Sequence, residues 1–86
     1  MKLQLKITTT SNEVLEVDCG IADFIGWERH SGSKTSDLAN GIGLEDMAFL
    51  AHSALKRSGE NVKPFDGWIN DIEEIEVVDT DPKATQ

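Results

Sequence analysis

The sequence predicts an α+β fold: an N-terminal antiparallel β-hairpin packed with about three α-helices and followed by a disordered acidic C-terminal tail. Three observations carry this. Two early stretches alternate apolar and polar residues at period two, as half-buried strands do. Three later stretches repeat apolar residues at helical spacing. The polar run "DTDPKATQ" has nothing to bury. With 86 residues there is room for one small domain, expected over residues 1–78, with the tail over 79–86.

In residues 2–8, Leu3, Leu5 and Ile7 alternate with Lys2, Gln4, Lys6 and Thr8, which predicts the first strand. "TTSN" reads as a turn. In "EVLEVDC", Leu15, Val17 and Cys19 share one side opposite Glu16 and Asp18, which predicts the second. A lone hairpin is marginal in water, so helices are expected to cover its apolar face. "GIADFIGWERH" spaces Ile21, Phe24 and Ile25 as a helix does, with Trp27 on the flank, Asp18 as N-cap and Gly32 as stop. Gly26 lowers its propensity without forbidding it. "SGSKTSDLANGIG" is loop, with one short helical turn at "TSDLA". "LEDMAFLAHSALKRSG" is the clearest helix. Glu45 and Asp46 suit its N-terminal dipole, Lys56 and Arg57 its C-terminus, and Gly59 its end. Finally "PFDGWINDIEEIEVV" puts Phe65, Trp68, Ile69, Ile72 and Ile75 on one helical face, Pro64 suiting its first position. Its far boundary is open, because "IEVV" also has strand propensity.

The net charge is -8. That disfavours nucleic acid and anionic membranes, which need a basic face. Seven acidic and no basic residues lie between Asp66 and Pro82, so the acid gathers in the last element and its exit. A solvated face or a docking face for a basic partner both fit. The single cysteine forbids an internal disulfide framework, which suggests a reducing compartment. The N-terminus has no signal-peptide core, and no apolar run approaches membrane-spanning length, so a cytoplasm is expected.

No enzyme, cofactor or metal site is expected. One Cys and two distant His, His30 and His52, do not make a zinc set. Cys19 reads as a small buried thiol. "GSKTSD" and "GIG" fail the phosphate-loop and dinucleotide patterns, and "NDIEEIE" fails the calcium-loop spacing. The aromatic residues say more. Phe24, Phe65 and Trp68 fit core stripes. Trp27, beside Glu28 and Arg29, suits half-burial or an interface anchor. Phe49 falls opposite the apolar face of its helix, among Glu45, Ser53 and Lys56. Either the helix is sandwiched, which is the simpler solution in a chain this small, or Phe49 and His52 belong to a protein–protein site.

"DFIGWERHSG", then "LEDMAFLAHSALKRSG", then "FDGWINDIEEIEVVDTDP" resemble the small tail assembly chaperones of long-tailed bacteriophages. Such proteins have an "xxWER"- or "xFER"-like helix after a short β segment, an "FLAxxALRRxG"-like helix, and an "FDxWLxxLExIEVVE"-like acidic helix running into a Pro-containing tail. The resemblance covers most of the chain from Asp23 to Pro82; His52 stands where an aromatic residue is common, and Gly67 where a charged one is. It implies a non-enzymatic role in virion assembly in the host cytoplasm. The implied partner is the tape-measure protein, a long helical chain kept soluble until tail-tube subunits polymerise around it, and the chaperone is not expected in the mature virion. It also implies a longer product made by programmed frameshifting. Asp81-Pro82-Lys83 can be encoded as GAC CCA AAG, which has a slippery heptamer shape. The residues themselves suggest Trp27, Phe49 and His52 as apolar partner contacts and Glu73, Glu74 and Glu76 as an acidic rim. Self-association is open. The alternatives are an acidic decoy that inhibits a host DNA-binding or defence protein, and a minor structural protein of the tail or connector.

Overall fold

The computed structural model describes residues 3–79. The expected α+β architecture is present: a three-stranded antiparallel sheet with helices on one face. Strand β1 (Leu3–Thr9) and strand β2 (Val14–Cys19) form the hairpin. Its turn is held by Thr9, whose hydroxyl accepts the backbone N–H of Glu13 at 3.0 Å, and by Asn12 in the left-handed region at φ 68°. Helix α1 (Ile21–Ser31) follows, then a 3₁₀ segment (Thr35–Asn40), helix α2 (Leu44–Arg57) and a one-turn helix α3 (Phe65–Trp68). A 3₁₀ turn (Ile69–Asp71) then leads into strand β3 (Ile72–Asp79). The sheet order is β2-β1-β3, so the first strand is central and the last strand is an edge.

The long final helix expected from Phe65 onward is therefore corrected to a single turn and a strand. Ile72, Ile75, Val77 and Val78 are β-branched, and such residues pack well on a pleated surface. Their alternation with Glu74 and Glu76 suits period two as well as the helical reading suits the period of 3.6. Pairing decides between them: Ile7 sits opposite Ile75, and Leu5 opposite Val77. A helix there would have left one side of β1 without hydrogen-bond partners. The strand continues to Asp79, and the rest of the expected tail lies outside the described residues, as do Asp81, Pro82 and Lys83.

The core is built from Leu3, Leu5, Ile7, Val17 and Cys19 on the sheet, Phe24 and Trp27 on α1, Met47, Ala48, Leu50, Ala51, Ala54 and Leu55 on α2, and Trp68. The α1 stripe is rotated from the expected one. Ile21 and Ile25 are exposed, while Phe24 and Trp27 are buried. The N-cap is Gly20, because Asp18 is committed to β2, where it pairs with Gln4. Gly32 ends α1 in the left-handed conformation, φ 77°. At the end of α2, Gly59 (φ 95°) donates to Lys56 and Glu60 donates to Leu55, the paired bonds of a Schellman motif.

Candidate functional site

The six residues expected to meet a partner lie in three environments. Trp27 is a correction: it is 3% exposed and belongs to the core. Its indole N–H donates to Asp46 Oδ1 at 2.8 Å, tying α1 to the first turn of α2. Asp46 Oδ2 also accepts the N–H of Gly43 at 3.1 Å, so one carboxylate caps the helix and anchors the tryptophan.

Phe49 and His52 belong to an aromatic cluster on the far flank of α2. Phe49 is half-buried and stacks on His30 of α1, with ring centroids 4.5 Å apart and planes within 13°. It also meets Phe65 at 6.2 Å. Gly26, one turn before His30, faces the ring edge: a Cβ there would lie in ordinary contact, 3.8 Å from Phe49 Cε1. The helix is thus sandwiched, with α1 and α3 reaching over its second side. His52 makes edge contacts with Phe65 at 5.6 Å and Trp68 at 5.2 Å. Its Nε2 lies 2.8 Å from the Lys63 carbonyl, to which a protonated Nε2 donates. Lys63 in turn pairs with Asp71 at 2.9 Å. These contacts fold the Lys63–Asp71 segment back onto α2. The i, i+3 spacing of Phe49 and His52 marked them as one patch, while the partners that cover it come from the far side of a loop.

Glu73, Glu74 and Glu76 are exposed on β3. Glu74 and Glu76 stand opposite Thr8 and Lys6 on the sheet face away from the helices, and Lys6 Nζ is 3.8 Å from Glu76. Lys6 is also opposite Glu16 of β2, and Gln4 opposite Asp18. Acidic side chains from both ends of the chain are therefore gathered on one sheet face, which charge counting along the sequence could not reveal. Glu73 sits at one register shift of β3, between the Thr8–Glu74 and Thr9–Ile72 pairs, and Val78 at the other.

An unforeseen feature lies beside this strand. Leu44, Ala48, Ile69, Ile72 and Ile75 line a groove between the start of α2 and β3, with Glu73 and Glu74 completing its lining. Leu44 is 74% exposed, and Ile69 is exposed as well. A second hollow runs between β2 and the end of α2, but Glu16, Asp18, Arg57 and Glu60 give it a mixed polar lining. Leu44 is a correction: helical spacing puts it on the apolar face with Met47, Ala48, Ala51, Ala54 and Leu55, but at the first position of α2 it stands exposed, while Leu50 is buried.

One charged side chain is fully inside. Asp23 is 1% exposed and accepts bonds from Ser53 (2.7 Å), the Gly20 N–H (2.9 Å) and Arg57 (2.8 Å). Burial pushes its carboxyl up. The Arg57 guanidinium, the Ser53 hydroxyl and the Gly20 N–H outweigh that and hold it below the ordinary value of 3.8. Arg57 also donates to the Asp18 carbonyl at 3.2 Å, so the network joins β2, α1 and α2. Nearby, the Cys19 thiol donates to the Leu50 carbonyl at 3.5 Å. Burial, and then the Asp23 charge, push its pKa up to about 12, so it is a protonated packing group at neutral pH. Among the described residues there is no group of three or more His, Cys, Asp or Glu that could hold a metal ion, and no helix long and apolar enough to cross a membrane.

No protein-family model, no curated protein and no solved structure matches the chain.

Proposed function

We propose that this protein is a tail assembly chaperone of a long-tailed bacteriophage. In this reading it is non-enzymatic and acts in the host cytoplasm. It binds the tape-measure protein, keeps it soluble while the tail assembles, and leaves before the virion is complete. The observation that carries the reading is the union of unburied apolar side chains with an acidic strand: Leu44 and Ile69 stand exposed beside Glu73 and Glu74. A long helical client exposes apolar stripes that aggregate. A small protein of net charge -8 that masks such a stripe also lends the complex like-charge repulsion. The sequence resemblance from Asp23 to Pro82 supplies the identity of the client.

The acidic sheet face, with Glu16 and Asp18 beside Glu74 and Glu76, favours a second reading, a decoy for a basic protein. Salt separates the two: decoy binding collapses as ionic strength rises, while apolar binding persists. A minor structural role in the tail or connector would place the chain in purified virions.

The test is co-expression with the long helical tape-measure candidate encoded beside this gene. The expected result is a client that is soluble only in the presence of this protein and co-purifies with it. Unchanged client solubility, with nothing co-purifying from either the short or a frameshifted form, would end the reading.

A further inference from the structure

Val14, Ile21, Ile25, Leu44, Ile69, Val77 and Val78 are the exposed large apolar residues among the described ones. Leu44 and Ile69 share one groove with the half-buried Ile72 and Ile75, and Glu73 and Glu74 border it. Among the described residues, no Lys or Arg lines it. We propose that this groove is the client site, and that its occupant is an amphipathic helix with an apolar stripe flanked by Lys or Arg. The proposal rests on the chaperone reading for the client's identity, and on the groove alone for its chemistry.

Three occupants compete for such a surface. A second copy of the chain, docked here by two-fold symmetry, would bring Glu73 and Glu74 toward their own counterparts, and like charges so placed repel. An added strand would use the free edge of β3. That edge is regular only from Glu74 to Val77, because the register shifts at Glu73 and Val78 interrupt it on both sides. Four residues fall short of the usual strand, and bulges are a common means of blunting an edge against pairing. A helix needs no backbone partner. It needs a strip of apolar side chains for its i, i+3, i+4, i+7 anchors, and acidic groups near its basic flank. The groove provides both, with Leu44 and Ile69 as the protruding contacts, Glu73 at the border, and Glu74 lining it from the strand edge beside the far sheet face.

The probe is a labelled synthetic peptide of about 18 residues, roughly five helical turns, with Leu at helical spacing and Lys elsewhere. It is titrated with the full chain, and its counterpart carries Glu in place of Lys. The Lys peptide is expected to bind and gain helicity, and the Glu peptide not to bind. Leu44→Ser with Ile69→Ser should weaken binding about tenfold or more. Glu73→Lys with Glu74→Lys should weaken it comparably and flatten its salt dependence. Ile21→Ser, which removes an exposed isoleucine outside the groove, should change nothing. All five positions are exposed, so circular dichroism should report the same fold in every variant. Unchanged affinity in the Leu44/Ile69 variant overturns the proposal. So does equal binding of a peptide broken by a central proline, which would mean an extended occupant. A dimer of the free chain that Leu44→Ser dissociates would give the groove to a second copy and also overturn it. Client solubility separates this inference from the one above. A client rescued equally by wild type and groove variants keeps the chaperone and loses the groove. Groove-dependent peptide binding with no effect on the client keeps the groove and loses the chaperone.

Discussion

Asp23 makes three hydrogen-bonded links from one buried carboxylate, to Gly20, Ser53 and Arg57. Asp23→Ala leaves these donors without their acceptor and should cost about 2–3 kcal/mol, read as a lower urea midpoint. Its folded pKa lies below the ordinary 3.8, so its contribution is complete above that value and is lost as pH falls through the lowered one. The wild type should therefore lose stability on acidification below about pH 4, and Asp23→Ala should show a shallower loss over the same range. The role of Asp23 was partly legible. Asp23, Asp37 and Asp46 each stand three residues after a helix N-cap and accept its backbone N–H. That repeated spacing was in the sequence, whereas Asp18 could not serve both as a cap and as a residue of the strand in which the alternation places it. Arg57 as the counterion was beyond reach, since it lies 34 positions away and nothing local links the two.

The bounds of helix α2 were legible because its end charges and terminal glycine agree with its apolar spacing, although the buried stripe takes Leu50 in place of Leu44. Strand β3 was not, because Phe65, Trp68, Ile69, Ile72 and Ile75 satisfy a helical period while Glu74 and Glu76 alternate with Ile75 and Val77 at period two. Only the open side of β1, a tertiary fact, breaks the tie. Phe49 and His52 share one flank of α2 and both meet Phe65, which the helical spacing places with Trp68 on a separate core stripe. The interface between α1 and α2 carries a prediction of its own. Gly26 sits within α1, and an added methyl would meet the Phe49 ring at an ordinary 3.8 Å. Gly26→Ala should gain helix propensity without strain and stabilise the fold by about 0.5–1 kcal/mol. Differential scanning calorimetry should read this as a rise in Tm of about 3–5 °C.

Across the whole molecule, β1 is shared between a neighbour close in sequence and one from the far end of the fold. The hairpin with α1 and α2 leaves Leu5 and Ile7 with one open flank until Val77 and Ile75 arrive. A chain truncated after Asp71 should therefore fail to fold cooperatively, seen as loss of a sharp thermal transition, while one truncated after Asp79 should keep it. The general architecture was legible because a hairpin with an apolar face demands cover. The groove was not, because it exists only where α2 and the returning strand stand side by side.

The central place of β1 also bears on how the protein is born. Translation delivers β1 before, and β3 after, every other described element of the fold. The nascent chain thus carries its central strand with one side unpaired while the helices emerge, and closure waits for the last stretch to clear the ribosome. A ribosome stalled before Ile72 therefore holds a chain whose sheet is still open. A product extended beyond residue 82 would still bring the closing strand with it.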